Sequence, residues 1–82
     1  MQAGFTFSHR DDRNKFEQSL YELKMSFVDI IRGTAPIIET GGVHRGDTHS
    51  IELFWNDEDS IDINELTDLA YGCGGYITIS ST

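Results

Sequence analysis

Phe16, Leu20, Leu23, Phe27 and Ile30 recur along the chain at spacings of four, three, four and three. Only a helix brings such a series onto one side, because a turn closes every 3.6 residues. The spacing therefore predicts an amphipathic helix that must bury this stripe against another element. Arg32 stands where a cation favours a helix C-terminus, and Gly33 suits the left-handed position that ends one. Ser8 to Asp12 offer polar capping candidates at the front.

The cover for that stripe is written in the other period. Phe5-Thr6-Phe7 alternates apolar and polar, as a strand with one buried side does. Pro36 opens a second extended segment over Ile37–Thr40, and His49–Trp55 alternates again. Between them, Gly41-Gly42 and His44-Arg45-Gly46-Asp47 carry the turn chemistry of a hairpin. After the polar break Asn56–Asp59, a shorter helix is predicted with Ile63, Leu66, Leu69 and Ala70 on its inner side. Asp62 and Glu65 have capping-box spacing at its start. Gly72-Cys73-Gly74-Gly75 stops it, and Tyr76–Ser80 alternates as a last strand.

The order is β-α-β-β-α-β. With right-handed crossovers, two strand–helix–strand halves make an α+β, ferredoxin-like βαββαβ sandwich: two helices on one face of a four-stranded antiparallel sheet. The 82 residues leave room for one core, so residues 1–82 are expected to form a single domain. Phe5, Phe7, Ile51, Leu53, Trp55, Ile77 and Ile79 are expected to face the helices. Thr6, Ser50, Glu52, Phe54, Tyr76, Thr78 and Ile38 then face away. An architecture of this kind hosts many activities and indicates none.

Charge carries the functional information. Residues 1–45 hold six acids and six bases, whereas residues 46–82 hold eight acids and no lysine or arginine, so the second half carries the entire net charge of −8. Binding nucleic acid directly requires a basic footprint, which this chain lacks. Phe54 and Tyr76 on an open sheet would resemble a base-stacking platform, but Glu52 lies beside them with no base on these strands. A negative half-molecule fits a basic partner surface instead. Apolar runs of two or three residues are too short to span a membrane. No signal-like segment opens the chain, and its one cysteine, Cys73, suits a reducing cytoplasmic setting.

The acids cluster as Asp57, Glu58, Asp59 and Asp62, followed by Glu65 and Asp68. A helix dipole favours anions in its first turn by about 0.3–1 kcal/mol each. That accounts for one or two of them, and not for Asp68 near the other end. A merely solvated acidic face is the plain alternative. Asp62, Glu65 and Asp68, three residues apart, would stand about 5–6 Å from one another on one exposed side. That is roughly the separation of successive phosphates. A calcium loop counted from Asp57 fails, because Ile61 and Asp62 occupy its fifth and sixth places. His44, Asp47 and His49 have the donor types of a zinc site but read as polar turn residues. Arg45-Gly46-Asp47 reads as a turn as well. Cys73 sits between glycines with no base beside it, and Gly72–Gly75 ends a helix where a phosphate cradle would begin one.

The sequence therefore points to a small acidic, non-enzymatic protein-binding module with no metal or cofactor. Its expected role is that of an inhibitor. It would dock Asp57, Glu58, Asp59, Asp62, Glu65 and Asp68 onto a basic, nucleic-acid-handling partner such as a nuclease complex, mimicking nucleic acid. Phe54 and Tyr76 are the candidate anchors. Viral anti-defence proteins of this physical kind provide one setting. The alternative is a structural or regulatory subunit that forms a homodimer through its open sheet face.

Overall fold

The alternation at Phe5-Thr6-Phe7 extends to a full strand, β1 (Gln2–Phe7), in which Ala3, Phe5 and Phe7 are fully buried. The computed structural model describes residues 1–81. After β1 come α1 (Arg10–Glu22), β2 (Asp29–Ile38), β3 (His44–Phe54), α2 (Ile63–Gly72) and β4 (Gly75–Ser81). The chain is thus an α+β domain with one open sheet of four antiparallel strands, ordered β2-β3-β1-β4. Both helices cover one side of it. Phe16 and Leu20 of α1 and Leu66 and Ala70 of α2 close over Phe5, Phe7, Ile51, Leu53 and Trp55. The rings of Phe5 and Phe7 lie 5.1 and 5.4 Å from that of Phe16, within the range of favourable tilted aromatic pairs. Among the described residues no helix is long and apolar enough to cross a membrane.

The first helix is shorter than its apolar stripe. It ends at Glu22, and Lys24 takes the left-handed conformation (φ 58°). The Lys24 N–H donates to the Tyr21 carbonyl and the Met25 N–H to that of Leu20, at 3.0 and 3.1 Å. This is a Schellman closure with lysine where glycine is usual. Arg32 and Gly33 therefore lie within β2 and do not cap a helix. Phe27 and Ile30 still pack on the core, from a loop and a strand. The physical reason is that residues 28–38 are rich in β-branched side chains and find a ladder: Ile30 pairs with Leu53, Arg32 with Ile51 and Thr34 with His49.

The hairpin differs in the same direction. β3 begins at His44, so the turn contracts to the residues around Gly41 and Gly42, both at positive φ. The Gly42 N–H donates to the Glu39 carbonyl and the Glu39 N–H to that of Val43, each at 2.9 Å. Gly46 (φ 115°) lies in β3 where the ladder slips between Pro36 and Ile38. β1 accompanies β3 only from Phe54 to His49, so the rest of β2–β3 runs on as a two-stranded arm. That arm fits the elongated envelope of 47 × 22 × 18 Å.

β4 departs from strict alternation. The register with β1 shifts between Gly4 and Phe5, so Ile77 pairs with Phe5 whereas Ile79 pairs with Gly4. Ile79 therefore lies on the open side, 44% exposed, and does not face the helices. It rests on Gly4, where a Cβ would stand 3.3 Å from its own Cβ.

Candidate functional site

α2 places the acidic row. Asp62 is its N-cap, and its Oδ1 accepts the Asn64 N–H at 2.9 Å. No return bond from Glu65 completes a capping box among the described residues. Leu66 and Ala70 are buried while Ile63 and Leu69 are partly covered, which settles how the helix is rolled. Asp62, Glu65 and Asp68 are consequently exposed, and together with Asn64, Leu69, Gly72 and Cys73 they line one shallow hollow. Each step of three residues turns the row back by about 60°, so the three carboxylates stay on one side of the helix.

The loop before α2 continues this surface. Asp57 and Glu58 are exposed. Asp59 is half-buried, and its Oδ2 accepts the Asn56 N–H at 3.0 Å, which holds the turn in place. Asp59 and Glu65 border a second hollow with Leu23, Lys24, Met25, Ser26, Ser60 and Ile61, so Glu65 belongs to both depressions. Among the described residues Lys24 is the one base on that border, and it makes no ion pair there.

Three of the six bases of the N-terminal half, Arg13, Arg32 and Arg45, are engaged elsewhere. Arg32 grips Glu17 through Nε and a second nitrogen, and Arg45 meets Glu39 at 2.9 Å. The Arg32 guanidinium holds the Glu17 carboxyl below its ordinary range, opposed by partial burial and helped by a hydrogen bond from Tyr21. Arg13 is buried and donates to the Gly33 carbonyl at 3.1 Å, while its Nε has no partner among the described residues. Among the described residues, none of Asp57, Glu58, Asp59, Asp62, Glu65 and Asp68 is paired with a base.

The aromatic candidates are divided. Both Phe54 and Tyr76 lie on the open side of the sheet, away from α2. Phe54 pairs with Gln2, at the end from which the acidic loop departs. Tyr76 pairs with Thr6, near the opposite end, and is 48% exposed. Two strand spacings and four residues separate them by about 16 Å. Phe54 is therefore placed to border the acidic loop, and Tyr76 is not. Ile31, 50% exposed on the same open side, is hidden in the sequence by the helical spacing of its neighbours Phe27 and Ile30.

The histidines also part. His44 Nε2 meets Asp47 Oδ1 at 3.1 Å on the exposed arm. His49 is buried beside Thr34, with Nδ1 3.4 Å from its hydroxyl. Cys73 is half-buried at the end of α2. The site's chemistry is thus that of water-facing carboxylates, acceptors for lysine and arginine. No protein-family model matches this chain, and no curated protein matches it in sequence.

Proposed function

We propose that this chain is a small acidic binding protein, without catalytic activity of its own, that inhibits a nucleic-acid-handling partner by covering its basic surface. One observation carries the reading: Asp62, Glu65 and Asp68 line a single water-facing hollow with no base paired to them. Asp57 and Glu58 extend the same sign of charge into the adjoining loop. Helix neighbours three apart stand about 5–6 Å from each other, a pitch suited to cationic side chains that otherwise hold successive phosphates. Charge of this density speeds and orients the encounter, and desolvated apolar groups then hold it. Leu69 inside the hollow and Phe54 beside the loop are the anchors within reach. Occlusion of the partner's nucleic-acid channel follows. The element order and the β2-β3-β1-β4 arrangement support a ferredoxin-like reading of the scaffold.

The test uses acids that hold no hydrogen bond within the chain. Wild type and a Glu58→Gln, Glu65→Gln, Asp68→Asn variant serve as bait at low and high salt, with duplex and single-stranded nucleic acid as competitors. The expected result is capture of nucleic-acid-binding proteins that falls with salt, with competitor and with the variant. Capture that ignores all three removes the proposal.

A further inference from the structure

β2 and β4 are the two edges of the sheet, and they are guarded very differently. β2 carries Asp29, Arg32 and Pro36. Charged side chains and proline are what natural edges use to refuse another strand. β4 reads Gly-Tyr-Ile-Thr-Ile-Ser-Ser, with no charge and no proline, and its one guard is the bulge opposite Gly4 and Phe5. Tyr76 and Ile79 stand 48% and 44% exposed along it. The strand is bonded to β1 on one side only, so its other row of backbone groups faces outward.

We infer that β4 is a pairing edge and that its occupant is β4 of a second copy, run antiparallel so that two sheets join into one of eight strands. Charge selects this occupant. The chain carries −8, and among its two helices and two edge strands β4 alone bears no acid or base. Of the two edges, this uncharged strip is the one along which two such chains can meet without bringing carboxylates together or burying a charge. A two-fold axis makes the strip its own complement, since antiparallel pairing is identical from either side. The open face is a poorer contact for a second copy. Its centre holds Glu52, bound to Gln2 Nε2 at 2.9 Å, and face-to-face packing would bury that carboxylate from both copies. A seven-residue edge buries less than the roughly 1,000 Å² typical of stable interfaces, so the association is weak. Repulsion between the two net charges opposes it, and salt screens that repulsion. The dimer therefore tightens with salt, opposite in sign to the partner binding proposed above.

Sedimentation of the full chain from micromolar to millimolar concentration, at low and high salt, tests this. Wild type is expected to shift from monomer to dimer with concentration, and at lower concentration in high salt. Thr78→Lys places a charge on the edge and is expected to stay monomeric, whereas Ala35→Lys on β2 dimerises as wild type does. Amide exchange on wild type gives a reading that needs no variant: protection of β4 should rise with concentration while that of β2 stays constant. Wild type that remains monomeric throughout overturns the inference. So does a dimer that survives Thr78→Lys, or one lost on Phe54→Ser but kept in Thr78→Lys, which would assign the contact to the open face.

Discussion

Gly75 lies against the ring of Phe7, so closely that a Cβ on Gly75 would overlap Cδ2, Cε2 and Cζ of that ring. The two residues are register partners across β1 and β4, and both are buried. The strand that leaves α2 can enter the sheet only because it begins without a side chain. Phe7 cannot yield easily, since its ring is packed against Phe16.

Gly75→Ala is accordingly expected to destabilise the fold by about 2–4 kcal/mol, the scale of overpacking a full core. Urea unfolding followed by tryptophan fluorescence measures it through Trp55. A midpoint equal to that of wild type would mean that β4 enters the sheet differently.

Lys24 at φ 58° carries the strain of a left-handed residue with a Cβ. Lys24→Gly removes that strain and keeps the closing hydrogen bonds, so a gain of about 0.5–1 kcal/mol is expected after the added freedom of the unfolded chain is deducted. Thermal unfolding of the two proteins checks the sign.

Glu17 is bound by Arg32 and by the Tyr21 hydroxyl, at 2.7 Å for the latter, and its carboxyl is held below the ordinary value of 4.5. A group depressed on folding contributes stability that is complete above its unfolded pKa and is lost as pH falls through its folded one. The pair's contribution thus is complete at neutral pH, begins to fall near pH 4.5 and is gone once the pH has passed below the depressed folded value. Glu17→Gln should cost about 1 kcal/mol at pH 7, because Arg32 is half exposed and water already screens it. The variant should approach wild type in acid. Unfolding free energies at pH 7 and pH 3 that differ between the two proteins by the same amount would contradict the assignment. Tyr21 moves the other way: its hydrogen bond to Glu17 raises its pKa above 10, so that part of the stability is complete below pH 10 and is lost as pH rises through the raised folded value.

The acids of α2 separate into structural and free. Asp62→Ala removes an N-cap bond and should cost about 1 kcal/mol. Glu65→Gln and Asp68→Asn remove none and should leave stability within about 0.5 kcal/mol of wild type, or raise it by relieving repulsion. Denaturation midpoints of the three variants decide between a capping role and a surface role for each carboxylate.

Much of this molecule is legible in the chain itself. Alternation at Phe5 and Phe7 and at Ile51, Leu53 and Trp55, with helical spacing at Phe16 and Leu20 and at Leu66 and Ala70, names nearly the whole core. The reason is that a side chain's direction depends on a period of two or 3.6 whatever surrounds it. The same rule exposes Asp62, Glu65 and Asp68 once Leu66 is buried. Residues 23–31 defeat it, because Leu23, Phe27 and Ile30 fit the helical period while the β-branched run after Phe27 fits a strand. Only the ladder to β3, which crosses more than twenty residues of sequence, chooses between them. Tertiary pairing alone likewise turned Ile79 outward, set Phe54 and Tyr76 at different ends of the sheet, and left β4 as an uncharged edge. Each of these depends on which strand lies beside which, and that is a matter of long-range registry, to which local periodicity is blind.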